Sequence, residues 1–184
     1  MRFTLAVVAT CVLSAAMADE AELSFNGDAA RGGYVHQFQS SALRAEAGWL
    51  HHSDNGDVFH IGAHLSGQAS AREDEVTAGL GVRLVYTDGD INDQDGAALP
   101  IGGYVNFTPQ RYDRFSLRGH AYFSPDVLSF GDSEQYEEYG VRASYNLMRD
   151  ADIFVGARYI NGEYKTAPDA KFDTGMHVGI SLRF

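Results

Sequence analysis

A chain of 184 residues with 25 acidic against 14 basic side chains carries a net charge of −11, which makes it a poor partner for nucleic acid. No basic cluster or aromatic–basic stripe offsets that balance. Mean hydropathy is slightly polar, −0.24, and nothing after the first 18 residues reaches 18 consecutive apolar positions, so no bilayer-spanning helix is expected.

Residues 1–18, MRFTLAVVATCVLSAAMA, combine an early Arg2, an apolar run and Ala16-Met17-Ala18 before Asp19. That is the pattern of a secretory signal with an A-x-A cleavage site, too short to span a membrane as a helix. A lipoprotein reading of Cys11 is disfavoured by Thr10 before it and by the apolar run that continues past it. Cleavage after Ala18 removes Arg2 and leaves 13 basic against 25 acidic residues, a net charge of −12. It also removes the single cysteine, so the mature chain enters an oxidising compartment with no disulfide.

From Glu20 onward the recurring signal has a period of two residues, the alternation of side chains across a β-strand. Glu20–Asn26 and Gly33–Gln39 read as the first two strands. In the next, Leu43, Ala45, Ala47 and Trp49 oppose Arg44, Glu46 and Gly48; then Phe59, Ile61, Ala63 and Leu65 oppose His60, Gly62, His64 and Ser66. Val76, Ala78, Leu80, Val82, Leu84 and Tyr86 oppose Thr77, Gly79, Gly81 and Arg83. Pro100 troubles the strand near Ala97–Phe107, because proline cannot donate to a closed ladder; the preceding loop is expected to run to it. Phe115–Ser124 and Gln135–Leu147 alternate cleanly, and Ile153, Val155, Ala157 and Tyr159 oppose Gly156 and Arg158, with Phe154 an exception on the polar side. In the last strand Thr174, Met176, Val178, Ile180, Leu182 and Phe184 oppose Asp173, Gly175, His177, Gly179, Ser181 and Arg183. Helical templates fit these windows poorly, and 20 glycines would be costly in helices.

Counting back from Phe184, short links near Met148–Ala151, Thr108–Asp113, Ala69–Asp74 and Ser40–Ser41 alternate with polar links near Lys165–Phe172, Pro125–Glu134, Asp88–Asp95 and Ser53–Gly56. Short periplasmic turns alternating with longer outer loops are the habit of outer-membrane barrels. The expected fold is an all-β, antiparallel, up-and-down transmembrane barrel over residues 19–184, most simply of ten strands, with eight as the alternative.

The polar face distinguishes this from a soluble barrel with an apolar interior. It carries Arg44, Glu46, Glu75, Arg83, Arg118, Glu138, Arg142 and Arg158, interleaved with glycines that would weaken a solvent-exposed face for no return. In a narrow lumen those glycines make room for neighbouring Arg and Tyr side chains. The lumen is therefore expected to hold an Arg–carboxylate and Tyr network, with arginine forks meeting Glu46, Glu75 and Glu138, rather than an open channel. Trp49, Tyr86, Phe107, Phe115, Phe123, Tyr159 and Phe184 fall near strand ends on the apolar face, where aromatic girdles sit.

The run from His177 to Phe184 resembles the carboxy-terminal signal of bacterial outer-membrane barrels: polar His177, Gly179, hydrophobic Leu182 and terminal Phe184. That likeness implies recognition by the barrel-assembly machinery. A second resemblance lies in Tyr122-Phe123-Ser124-Pro125-Asp126-Val127-Leu128-Ser129, the Tyr136-Glu137-Glu138-Tyr139 strand, Gly156-Ala157-Arg158-Tyr159-Ile160-Asn161-Gly162 and the Asp54-Asn55-Gly56-Asp57-Val58 turn. These resemble the YfaZ family of small proteobacterial outer-membrane proteins over most of the mature chain, most strongly after Arg114. The resemblance implies secretion and an outer-membrane barrel, and supplies no catalytic or ligand residues to carry over.

Three constellations of polar residues each have a chemical and a plainer reading. His52, His60 and His64 share the inward parity, but His60 and His64 stand roughly 13 Å apart along a strand. Hydrogen-bonded lumen histidines are the simpler reading than a metal site. The loop Asp88–Gly96 echoes an EF-hand, yet Asp93 stands where glycine is needed and Leu99 where glutamate is. A solvated acidic loop is expected, with a weak divalent-cation site, bridging to lipopolysaccharide, as the alternative. Ser124-Pro125-Asp126 with His120 offers a hydrolase on paper, but Ser-Pro-Asp reads first as a turn entry and no G-x-S-x-G elbow is present. The expectation is a monomer bound by outer-membrane lipid and lipopolysaccharide, with no cofactor and no catalysis, in a structural or surface-interaction role. A narrow channel whose lumen arginines select anions is the alternative.

Overall fold

The computed structural model describes residues 19–39, 41–71, 74–89, 94–165 and 170–184. The expected signal segment and the centre of the acidic loop, 90–93, lie outside them. Among the described residues twelve strands run in chain order: β1 Glu20–Phe25, β2 Ala29–Gln37, β3 Leu43–His52, β4 Gly56–Ala71, β5 Asp74–Gly89, β6 Gln94–Ala98, β7 Ile101–Thr108, β8 Phe115–Ser124, β9 Ser129–Gly131, β10 Ser133–Met148, β11 Ala151–Tyr164 and β12 Ala170–Arg183. Two single turns of 3-10 helix, Gln110–Tyr112 and Asp126–Leu128, interrupt them, and no α-helix occurs among the described residues.

Ten of the strands make the wall. β1, β2, β3, β4, β5, β7, β8, β10, β11 and β12 each pair antiparallel with the next, and β12 returns to β1 with Glu20 opposite Arg183 and Phe25 opposite Val178. Backbone amides of Asp19 and Phe184 exchange hydrogen bonds at 3.0 Å beyond that ladder. Closure leaves no edge of unpaired N–H and C=O groups, the condition for a sheet to stand in hydrocarbon.

β6 and β9 are additions at the outer end. β6 and β7 pair with β5 in one register, Ala98 opposite Val85 and Ile101 opposite Val82, so they form a single line broken at Leu99 and Pro100. Pro100 lacks an N–H but still accepts from the Arg83 amide at 3.0 Å. The strand thus restarts after Pro100 as expected, while residues expected as loop continue the sheet outward and take on β9. The second strand also differs from expectation, beginning at Ala29 rather than Gly33. A tight Asn26 turn permits the earlier start, its Oδ1 accepting from the Asp28 amide at 2.9 Å and the Ala29 amide at 2.5 Å.

The inside-out arrangement follows the alternation strand by strand. Leu80 and Leu65 are 75% and 66% exposed on the outer surface, whereas Arg83 and Glu138 are 6% and 1% exposed within. Trp49 stacks on Phe59 toward the outer rim, and Phe115 meets Tyr145 and Tyr34 meets Phe184 in tilted contacts toward the rim carrying Asp19 and Phe184. These pairs lie where aromatic side chains meet the two membrane interfaces.

Candidate functional site: the polar lumen

Three layers fill the interior. At mid-height Glu138 of β10 collects donors from four strands. Its Oε1 accepts from Arg31 of β2 at 2.9 Å and His120 of β8 at 3.1 Å; its Oε2 accepts from Arg83 of β5 and from the Tyr136 hydroxyl, each at 3.0 Å. Arg83 also donates through Nε to Glu46 of β3, and its guanidinium lies 3.5 Å from the centre of the Tyr122 ring. Tyr122 shares a 2.7 Å hydrogen bond with His64 Nε2. Across the lumen Arg158 donates to Asp173, which also accepts from Asn26 at 2.7 Å. Each buried charge in this layer has a partner, the condition under which burial of ions is tolerated.

Toward the termini the interior is looser. Arg142 donates to Glu22 at 2.5 Å and Glu20 at 3.3 Å, and its guanidinium lies 4.8 Å from the centre of the Phe154 ring. That ring explains the one apolar residue on the polar parity of its strand. Arg44 donates to the Tyr104 hydroxyl at 2.7 Å, and Arg118 lies 4.6 Å from the centre of the same ring. Arg183 pairs with Asp152 at 3.1 Å. Cavities of about 70, 130 and 230 Å³ follow one another from mid-lumen to this rim, sharing Arg118 and Arg142, then Asn106 and Asp152, as common walls.

Toward the outer end the lining changes character. Leu50, Val58, Val85, Ala98, Tyr136, Ile160, Tyr164, Ala170 and Phe172 form one buried apolar cluster inside the wall, with Phe172 fully inaccessible. The Tyr164 hydroxyl is satisfied by Thr87 at 2.9 Å.

A second regularity governs the layers: bulky inward side chains lie over the glycine directly opposite on the neighbouring strand. His60 faces Gly48, His120 faces Gly140 and His177 faces Gly156. A methyl group at those glycines would stand 2.8, 2.8 and 2.7 Å from the respective Nε2 atoms. Tyr104 over Gly79 and Arg83 over Gly62 repeat the arrangement.

Of the residues expected in the lumen network, Arg44, Glu46, Arg83, Arg118, Glu138, Arg142 and Arg158 all face inward into these layers. Glu75 sits apart near the terminal rim, accepting from Gln68 at 3.0 Å. Two-pronged Arg–carboxylate forks were expected; instead Glu138 bridges Arg31 and Arg83 with one oxygen each. Arg31, Glu20, Glu22 and Asp173 went unpredicted. Arg31 preceded the expected strand start, and the other three share the inward parity of strands already recognised. His177 is buried in the lumen, Gly179 faces Phe154, and Leu182 and Phe184 are exposed on the outer surface. His52 neighbours Asn55, apart from His64 and its Tyr122 partner; no metal-holding group of three occurs among the described residues. Ser124 is buried and donates to the Leu128 carbonyl at 3.1 Å, while His120 is engaged by Glu138, so no hydrogen bond links the two.

The family described as YfaZ precursor matches residues 1–184. Outer membrane protein YfaZ of Escherichia coli (strain K12) is 32% identical over 148 residues, covering 79% of this chain and 77% of the relative. Among solved structures, the KdgM porin aligns with 91% of this chain and 99% of its own at 10% identity and a TM-score of 0.43. The outer membrane channel DcaP of Acinetobacter baumannii aligns with 89% of this chain and 54% of its own at 12% identity and a TM-score of 0.37. The chain belongs to the YfaZ family and is a β-barrel protein of the outer membrane.

Proposed function

We propose that this barrel is closed to solute flow and serves the outer membrane as a monomeric structural or surface-interaction element. The observation that carries the reading is the apolar cluster around Phe172 and Ile160, stacked above a mid-lumen layer in which Glu138, Arg31, Arg83 and Glu46 saturate one another. An ion crossing both layers would first break paired charges and then enter a dry apolar zone, each step unfavourable by several kcal/mol. Neither Ser124 nor His120 is disposed for nucleophilic work, so the reading includes no catalysis. Outer-membrane lipid and lipopolysaccharide are the expected contacts of the outward face. The terminal strand, with Leu182 and Phe184 exposed, is the segment offered to the barrel-assembly machinery.

Single-channel recording of the folded protein in planar bilayers tests the closure. No stable conductance step is expected. Reproducible steps would favour the second reading, a narrow anion-selective channel, which draws on the arginines along the connected cavities.

A further inference from the structure

The paired charges of the lumen do not balance at every height. At mid-height Arg31, Arg83 and Arg158 meet Glu46, Glu138 and Asp173. Nearer the terminal rim Arg44, Arg142 and Arg183 meet Glu20, Glu22 and Asp152, which leaves Arg118 as a fourth guanidinium. Among the described residues no carboxylate lies within ion-pair distance of Arg118; it rests against the Tyr104 ring, 4.6 Å from its centre. In the same region the Nε groups of Arg44 and Arg142 are buried without a hydrogen-bond partner among the described residues. Buried donors of this kind are rare in proteins and call for an acceptor. Arg44, Arg118, Arg142 and Arg183 share the wall of the cavity of about 130 Å³ with the carboxylates Glu20 and Asp152, so guanidinium groups outnumber carboxylates there, and Ser116, Ser144 and Asn106 are neutral polar neighbours. The adjoining cavity of about 230 Å³ extends this space to the terminal rim, where Arg114 and Arg183 stand beside Glu75, Asp113 and Asp152.

We infer that this chamber binds a small oxyanion, a carboxylate or phosphate group of a soluble periplasmic molecule, against Arg118, Arg44 and Arg142. A net acidic protein thus holds an excess of guanidinium over carboxylate in a narrow recess, where low-dielectric walls strengthen attraction for an anion. Guanidinium forks suit the planar or tetrahedral array of oxygens in such groups, and serine hydroxyls supply further donors. The volume admits one such group and excludes a large solute. Short turns, Asp19 and Phe184 surround the mouth, which is the periplasmic side in barrels of this class. The inference rests on the closed-lumen reading only in that ligand enters and leaves by the same end.

The test uses the processed chain folded in a glucoside detergent, which carries no phosphate headgroup, with inorganic phosphate and sodium acetate as probes in calorimetric titrations at low ionic strength. Saturable binding of at least one probe is expected, weakened at least tenfold in Arg118→Gln, largely kept in Arg118→Lys and unchanged in Arg149→Gln on the exposed turn after β10. Heat-modifiable migration on cold SDS gels verifies folding, and Arg44→Gln serves as second variant if Arg118→Gln fails to fold. Binding of neither probe, or equal binding in wild type and the folded glutamine variant, overturns the inference. Conductance is recorded separately, so a conducting barrel that binds phosphate refutes the closure and leaves the site standing. A silent barrel that binds neither probe does the reverse.

Discussion

The His60 imidazole occupies the space that a side chain at Gly48 would fill, directly across the ladder between β3 and β4. The same relation holds between His120 and Gly140, so lumen rings are housed by omission of a Cβ on the adjacent strand. Gly48→Ala forces the ring out of a packed layer that also holds Arg31 and Arg83. The expected loss is about 1–3 kcal/mol, the usual effect of overpacking. Gly67→Ala is the control, because a methyl group there meets nothing within 4 Å. Urea unfolding followed by gel mobility measures both. His60→Ala in the Gly48→Ala background should recover part of the loss, and strict additivity of the two changes would contradict the packing account.

Glu138 is the single carboxylate on which Arg31, Arg83, His120 and Tyr136 converge. Its replacement by alanine leaves two buried guanidinium groups short of their counter-charge, a change expected to destabilise by about 3–5 kcal/mol. Glu75→Ala, which removes the contact with exposed Gln68, should stay within about 0.5 kcal/mol of wild type. Equal effects at the two positions in the same unfolding assay would mean that the central network contributes nothing beyond a surface pair.

How far the sequence carries is visible at particular residues. The two faces of β3, β4, β5, β8, β10, β11 and β12 followed from alternation alone, because in lipid one misplaced charge is costly and the pattern is therefore kept strictly. Arg31 lay outside the expected strands since Asn26 closes its turn within three residues, which starts β2 at Ala29, four residues before Gly33. The apolar outer cluster had a signal that went unread: Leu50, Val58, Val85 and Ile160 lie on the polar parity of their strands, near the outer ends. An apolar residue out of phase marks a height at which the lumen is dry. Which arginine meets which carboxylate was illegible, because pairing depends on reach across the barrel between strands distant in sequence.

The outward face supplies a prediction graded by depth. Leu80 stands near the middle of β5 and is 75% exposed, whereas Leu147 is at the terminal-rim end of β10 and 50% exposed. Arginine at the bilayer midplane of a barrel costs about 2–4 kcal/mol, falling to about 0–1 kcal/mol near the interfaces. Leu80→Arg folded into liposomes should therefore lose about 1–4 kcal/mol more than Leu147→Arg. A chain with its apolar face turned inward would show no such gradient, and would be recovered from the periplasm without detergent.

The proposed closure places two barriers in series, and each can be opened by itself. Phe172→Ala with Ile160→Ala removes two large apolar side chains of the outer cluster, at an expected loss of about 3–5 kcal/mol for the phenylalanine alone. Below them the Glu138 layer still spans the lumen, so these variants should remain silent in planar bilayers. Arg83→Ala with Glu138→Ala opens the polar layer while leaving Phe172 and Ile160 above it, and should likewise pass no current. Conductance is expected only when both layers are cut in one folded chain, because an ion then meets neither a neutralised charge network nor a dry constriction. Steps from the apolar variants alone would show that the polar layer already leaks, and silence in the fully opened chain would move the seal elsewhere in the lumen.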